Sequence, residues 1–161
     1  GTEYRGFLYT GLMIVNNEPY LIEYNVRMGD PECQVILPRL RTDLLKIIEN
    51  SILNKLSKTK IKWTKDKSMT VVLCSKGYPG NYKKNKVIKN LNKLKLNNNN
   101  FVYHAGTKII NGVTFSNGGR VLNITSKGSN FKKIRKKIIS LIKKINWKYG
   151  FYRKDIGWKV I

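Results

Sequence analysis

The run Leu21-Ile22-Glu23-Tyr24-Asn25-Val26-Arg27 carries the residues most suited to chemistry. Strand alternation puts Leu21, Glu23, Asn25 and Arg27 on one face and sends Ile22, Tyr24 and Val26 to the other, toward a core. Glu23 and Asn25 then offer a carboxylate and an amide oxygen about 6–7 Å apart at the Cα level on one rigid strand. Such hard oxygen donors suit Mg²⁺ that also holds nucleotide phosphates, because Mg²⁺ takes few protein oxygens and completes its shell with water and phosphate. Arg27, next on that face, adds a permanent fork-shaped donor for a phosphate or carboxylate. The same alternation serves equally for an ordinary half-exposed strand with a polar face, and spacing by itself does not decide between the two.

The elements that must position these residues are legible as periodicities. Tyr4–Val15 alternates and is rich in Tyr, Phe, Leu and Ile, so it reads as a strand. Asn16-Asn17-Glu18-Pro19 is a turn, and Tyr20–Arg27 returns as the second arm of a hairpin. Gly29-Asp30-Pro31 breaks the pattern. Leu40, Leu44, Leu45, Ile48 and Ile52 recur at helical spacing within residues 38–56, with Pro38 suited to the first turn. Residues 57–68 are polar and Lys-rich, as a linker is. Strands follow at Met69–Ser75, Phe101–Ile110 and Val113–Ser126, the last interrupted by Asn117-Gly118-Gly119. The segment from Asn130 to Ile145 reads as one amphipathic helix with Ser129 as its N-cap. Its buried stripe is Phe131, Ile134, Ile138, Leu141, Ile142 and Ile145. A short strand near residues 157–161 closes the chain.

Composition narrows the function classes. The 161 residues are 41% apolar and 11% aromatic, enough for a real core and against wholesale disorder. No apolar run approaches 18 residues, so no membrane span is expected. The chain opens without Met and without a charged-then-apolar leader, and the abrupt start predicts a piece of a longer protein. Cys33 and Cys74 form no CxxC and have no neighbouring His; both read as reduced thiols of a cytoplasmic protein, each a small buried hydrophobe. The net charge of +23 is uneven: residues 1–60 hold eight basic and seven acidic side chains, residues 61–161 hold 24 and two. That break predicts two domains, 1–60 and 61–161.

The stretch Ile22-Glu23-Tyr24-Asn25-Val26-Arg27-Met28-Gly29-Asp30-Pro31-Glu32-Cys33-Gln34 closely resembles the EFNxRxGDPExQ signature of phosphoribosylamine–glycine ligases. Further blocks follow in the family's order: Tyr4-Arg5-Gly6-Phe7-Leu8-Tyr9-Thr10-Gly11-Leu12-Met13, Ser75-Lys76-Gly77-Tyr78-Pro79-Gly80, His104-Ala105-Gly106-Thr107, Asn117-Gly118-Gly119-Arg120-Val121-Leu122, and Tyr152-Arg153-Lys154-Asp155-Ile156-Gly157-Trp158. The resemblance implies an α+β chain in which residues 1–60 end an ATP-grasp domain. Residues 61–161 then form the small, mostly β, partly barrel-like C-terminal domain with one packed helix. It implies ATP, glycine and 5-phosphoribosylamine as substrates, joined through a glycyl phosphate. Glu23 and Asn25 become the Mg²⁺ or Mn²⁺ ligands, and Arg27, Gly29 and Asp30 the residues beside the substrates. Asp30 before Pro31 serves equally to shape the turn. The glycine-rich phosphate loop and the nucleotide lysines of the family have no counterpart here, so a missing N-terminal half, and no ligase activity from this chain by itself, are expected.

No catalytic base or nucleophile is assigned, and His104, the sole histidine, reads as a hydrogen-bonded structural side chain. Arg120 and Arg153 suit a phosphate or an ordinary ion pair with Asp155 equally; Tyr78 and Trp158 read as packing residues. Two other readings remain. The lysine clusters at residues 83–95 and 132–144 suit a basic nucleic-acid-binding module. Against it, the second cluster lies on the polar side of a helix, and aromatics are not interleaved with lysines as a stacking platform requires. Salt-sensitive, nonspecific binding is expected, and specific nucleic-acid binding is not. The third reading is a separately encoded subunit of a split ligase.

Overall fold

A computed structural model describes residues 1–161. The chain divides into two compact units, Gly1–Thr64 and Lys65–Ile161. The first opens with β1 (Tyr9–Val15) and β2 (Glu18–Asn25), an antiparallel ribbon closed by Asn16 and Asn17. Both asparagines have φ > 0 (51° and 66°), the paired left-handed conformation that matches strand twist in a two-residue hairpin. The turn is therefore shorter than expected, and Glu18 and Pro19 already pair with Val15 and Ile14. A short helix α1 (Cys33–Ile36) and a 3-10 turn (Leu37–Arg39) follow.

Next comes α2 (Leu44–Ile52), which starts later than its apolar spacing suggested. Asp43 accepts from the Leu45 and Lys46 amides, closing the first turn, while Pro38 sits in the separate 3-10 turn. Arg39 to Thr42 instead pair in extended fashion with residues 62–64, through Arg41 N to Lys62 O (2.9 Å) and Thr64 N to Arg39 O (2.8 Å).

Within the ribbon, two expectations fail. Pairing is regular from Tyr9↔Asn25 to Gly11↔Glu23, then slips so that Leu12 faces Leu21. Ile22 is the extra residue of a bulge, and a bulge re-aims every side chain beyond it. Leu21 consequently shares a face with Leu12 rather than with Glu23. Nor do Ile22, Tyr24 and Val26 meet a core: they are 61%, 60% and 72% exposed, because no layer of this chain covers the ribbon.

The second unit is a packed α+β structure. A four-stranded antiparallel sheet has the order β5-β8-β3-β9, with β3 Lys67–Ser75, β5 Asn100–His104, β8 Arg120–Gly128 and β9 Gly150–Phe151. A three-stranded sheet, β4-β7-β6, comprises Lys86–Ile88, Val113–Ser116 and Thr107–Ile110. Helix α3 (Phe131–Ile142) lies on the first sheet, burying Ile134, Ile138, Leu141 and Ile142 against Met69, Val71, Leu73, Leu122 and Ile124. Phe131 and Ile145 close the edge of that stripe.

The N-cap of α3 is Asn130, whose side chain accepts from the Lys133 amide, and not Ser129. The expected strand 101–110 is two strands, parted at Ala105-Gly106. Gly106 and Gly118 approach so closely that a Cβ on Gly106 would lie 2.7 Å from the Gly118 Cα. The chain ends in a 3-10 turn (Trp158–Val160), not a strand, and Trp158 is 66% exposed rather than packed, with the Lys159 ammonium 5.6 Å over its ring. Cys33 and Cys74 are free and half-buried; burial raises both thiol pKa values, with the Asp30 charge adding to it at Cys33 and Arg120 opposing it at Cys74.

Candidate functional site

The regular part of the ribbon determines what Glu23 and Asn25 can do. Because Gly11↔Glu23, Thr10↔Tyr24 and Tyr9↔Asn25 are consecutive pairs, Glu23 and Asn25 share a face with Gly11 and Tyr9. Gly11 makes room for the carboxylate: a Cβ there would stand 3.2 Å from the Glu23 Cγ. Glu23 is exposed and Asn25 half-buried, so their oxygens open to solvent at one rim of the strand.

Tyr9, opposite Asn25, donates its hydroxyl to the Glu32 Oε1 at 3.3 Å. Its pKa is raised, chiefly by the Glu32 charge, then by desolvation and that hydrogen bond, with a further push from Glu23. The face that bears Glu23 thus has a second carboxylate nearby and is a negative locus. Glu23 and Asn25 put a carboxylate and an amide oxygen on one face, donors of the hard-oxygen type that Mg²⁺ and Mn²⁺ accept, while Glu32 is held at Tyr9 and over Gly29. Side chains alone do not close a cage, as no group of three or more acidic, His or Cys residues gathers for a metal. An open set of this kind suits an ion that also takes phosphate oxygens.

The other expected residues lie just beyond β2. Arg27 is exposed and donates through Nη1 to the Met28 carbonyl (3.0 Å). Gly29 is buried, and its carbonyl accepts from the Cys33 amide (2.9 Å), tying the turn to the start of α1. The Glu32 carboxylate folds back over Gly29 into the space that a Cβ would fill. Asp30 Oδ1 accepts from the Gln34 Nε2 (2.9 Å), and the Asp30–Pro31 bond is cis. Asp30 therefore has a local, turn-holding partner, as its position before Pro31 allowed. Tyr9 and Glu32 were not singled out from sequence; the signal was available in the cross-strand position of Tyr9, but Glu32 arrives through the fold of the 28–33 turn.

In the second unit, His104 Nδ1 lies 2.9 Å from the Thr107 Oγ1, a local bond across the β5–β6 corner. Arg153 pairs with Asp155 through two bonds of 3.1 and 2.5 Å, an exposed ion pair just ahead of the Trp158–Val160 turn. Tyr78 packs its ring on Gly119.

The model for "Phosphoribosylglycinamide synthetase, C domain" matches residues 68–159, and that for the "ATP-grasp (A) domain" of the same synthetase matches residues 1–33. The chain belongs to this synthetase family. Phosphoribosylamine–glycine ligases of Brucella melitensis and Agrobacterium fabrum are 41% and 44% identical to it over 161 residues. The chloroplastic ligase of Arabidopsis thaliana is 43% identical over 165. These alignments cover the whole chain but only 38%, 38% and 31% of the relatives, so the chain spans about a third of their length. The crystal structure of the Thermotoga maritima phosphoribosylamine–glycine ligase superposes with a TM-score of 0.74 at 32% identity, covering 94% of this chain and 37% of that one. The family accounts for the order of the two units: an ATP-grasp segment, then a C domain.

Proposed function

We propose that this chain supplies the metal-side ribbon and the C domain of an ATP-dependent ligase that joins glycine to 5-phosphoribosylamine, giving glycinamide ribonucleotide, ADP and phosphate. The observation that carries the proposal is the projection of Glu23 and Asn25 from one face of β2, Glu23 over a glycine and Asn25 opposite a tyrosine that holds a second carboxylate. Glu23 and Asn25 would hold the Mg²⁺ or Mn²⁺ of the nucleotide. The bound ion supplies charge neutralisation of the phosphate oxygens during phosphoryl transfer. What the chain's own residues contribute is placement. The twin backbone pairs of the ribbon fix the spacing of the two donors, Gly11 keeps the carboxylate from being pushed off the strand, and Tyr9 holds Glu32 by a hydrogen bond.

Arg27, exposed just past the end of β2, would offer its remaining guanidinium donors to an anionic substrate group, and Gly29 with Asp30 forms the turn that follows it. The exposed apolar face of the ribbon, with Leu12, Ile22, Tyr24 and Val26, is the surface on which the remaining ATP-grasp layers of a ligase would pack, whether they come from the same polypeptide or from a partner subunit. Two unpaired thiols fit a reducing, cytoplasmic compartment. No helix is long and apolar enough to cross a membrane.

A chimera tests the reading: this chain replaces the matching 38% of the Agrobacterium fabrum ligase, and glycinamide ribonucleotide is measured from ATP, glycine and phosphoribosylamine. The chimera should turn over. Glu23→Gln should then lower kcat by roughly 100-fold or more, the scale on which loss of one preorganised charge-stabilising group acts. A folded but inactive chimera, or a Glu23→Gln variant as active as its parent, would remove the basis of the proposal.

A further inference from the structure

Beyond any ligase role, the second unit brings two tyrosine–lysine neighbours that are far apart in sequence, Tyr82-Lys83 and Lys148-Tyr149, into one strip. We infer that Lys76, Tyr82, Lys83, Lys86, Lys148 and Tyr149 form a binding strip for single-stranded nucleic acid, taken without sequence preference.

Backbone pairing assembles the strip. The Lys89 and Asn146 amides and carbonyls exchange two bonds (3.0 and 3.1 Å), which lays the segment after α3 beside β4. The Lys76 amide donates to the Tyr149 carbonyl (2.8 Å), which brings the end of β3 to the same place. The lysines after β3 and in β4 are thereby gathered around Tyr149 and its neighbour Lys148, which lie far along the chain from them. On one side a cavity of about 400 Å³ is lined by Lys76, Asn81, Tyr82, Lys83 and Tyr149. On the other a cavity of about 410 Å³ includes Lys86, Lys89, Lys148 and Tyr149 again.

Tyr149 is thus the shared wall of two adjoining open hollows, and it is 41% exposed. The Lys86 ammonium stands 4.8 Å over its ring, and Tyr82 meets Tyr78 edge-on at 6.1 Å, which steadies the second ring. Aromatic rings beside cations that track a backbone are what sequence-tolerant binding of single strands uses: bases stack, phosphates meet lysines.

Charge favours this occupant over a neutral one. Residues 65–161 contain two acidic side chains, Asp66 and Asp155, and Asp155 is engaged by Arg153. No carboxylate lines either cavity, so nothing neutralises the strip from within. The exposed face of α3 has as many cations, yet no aromatic ring lines its hollow, formed by Lys132, Arg135, Lys136, Ile139, Ser140, Lys143 and Ile161. It is a solvated helix face. Duplexes keep their bases stacked inward and would find no use for the tyrosines, so a single strand is the matched form.

The test uses the 161-residue chain, a fluorescein-labelled oligo(U) 15-mer, the same 15-mer annealed to oligo(A), and UMP as competitor, read by anisotropy at several salt concentrations. Expected is salt-sensitive binding of the single strand, weaker binding of the duplex, and no displacement by UMP at concentrations matching the nucleotide units of the oligomer. Tyr149→Ala and Tyr82→Ala should each weaken single-strand binding by about 5- to 100-fold, the range set by one lost stacked base, while Tyr149→Phe retains it. Lys83→Gln with Lys148→Gln, both at exposed positions that leave the fold alone, should flatten the slope of log K against log salt by about 0.7 per lysine. The inference is overturned by unchanged affinity in the Tyr82→Ala/Tyr149→Ala double variant, by duplex binding equal to the single strand, or by an unchanged salt slope in the lysine pair. Displacement by UMP at matched concentration overturns it too, since the strip would then be a mononucleotide site.

Discussion

The β1–β2 ribbon and the β3–β8 pair are built alike: each is antiparallel, each carries one bulge, and each is rich in branched and aromatic residues. They differ in cover. In the second unit α3 lies over β3 and β8, and thirteen apolar side chains from Met69 to Trp147 form one buried cluster. In the first unit Ile47 is the one buried hydrophobic residue, and Leu12, Ile14, Leu21, Ile22, Tyr24 and Val26 stand half or more exposed. The lesson is that alternation specifies a strand but not its burial; burial needs a second layer. It also separates the roles of the two pieces. The packed unit rests on its own core, whereas the ribbon has none and leaves its apolar face exposed.

The comparison is broken most sharply by truncating equivalent apolar residues in the two units. Ile138 is fully buried, and Ile138→Ala should destabilise the second unit by about 2–5 kcal/mol through lost transfer energy and the cavity left behind. Ile22, 61% exposed, should lose within about 0.5 kcal/mol on the same change. Urea unfolding followed by Trp147 fluorescence for the first and by amide exchange of the ribbon for the second measures both. An Ile22→Ala cost as large as that of Ile138→Ala would mean the ribbon has a cover of its own.

A smaller effect sharpens the chemical half of the contrast. Gly11→Ala places a methyl 3.2 Å from the Glu23 Cγ, so the Glu23 side chain must give by a few tenths of an ångström. In the chimera, Mn²⁺ binding in the presence of ATP, followed by electron paramagnetic resonance, should weaken by about 10-fold, the lower end of what a misoriented ligand costs. Stability should hardly move, because the ribbon there is open. Unfolding of the ribbon with unchanged Mn²⁺ affinity would show that Gly11 serves the hairpin and not the carboxylate.

A third substitution pair bears on how far the sequence could be read. Asn130→Ala should cost about 1 kcal/mol by orphaning the Lys133 amide, and Ser129→Ala close to nothing. Both residues are good caps in principle, and composition does not choose between them. What chose was backbone conformation: Asn130 is extended (φ −137°, ψ 124°), the geometry from which a side chain reaches its N3 amide. Equal costs at the two positions would reopen the cap assignment.

The same limit runs through the chain. The buried stripe of α3 was legible because a 3.6-residue period at Ile134, Ile138, Leu141 and Ile142 has one interpretation once a sheet is present. Strand β3 was legible for the same kind of reason. The bulge at Ile22 was not, since a single slipped residue leaves no compositional mark, yet it decides that Leu21 leaves the face of Glu23. Strand β4, hidden in a lysine-rich stretch, is held by pairing with β7 rather than by propensity. Glu23 and Asn25 were legible as neighbours on one face because the three pairs around them are regular; the approach of Tyr9 and Glu32 was not, because it depends on how the 28–33 turn doubles back.

The smallest effect concerns the end of the chain. Arg153 donates to both oxygens of Asp155, and this bond, ahead of the backbone and charge contributions, holds the Asp155 carboxyl below its ordinary pKa while raising that of Arg153. A carboxyl with a depressed folded-state pKa contributes stability that is fully present above its unfolded value, about 3.9, and is lost as pH falls through the folded value. At neutral pH the pair is intact, so the change is confined to acid. Because the pair sits at the surface, salt and side-chain entropy keep its worth small. Carboxyl ¹³C shifts over pH 2–6 should place the Asp155 midpoint below 3.9, and Arg153→Gln should return it toward that value with the core of the second unit unperturbed. A midpoint that stays put in Arg153→Gln would assign the shift to the backbone hydrogen bond, and would leave the last turn held by the contacts of Arg135 to the Lys154 and Ile156 carbonyls instead.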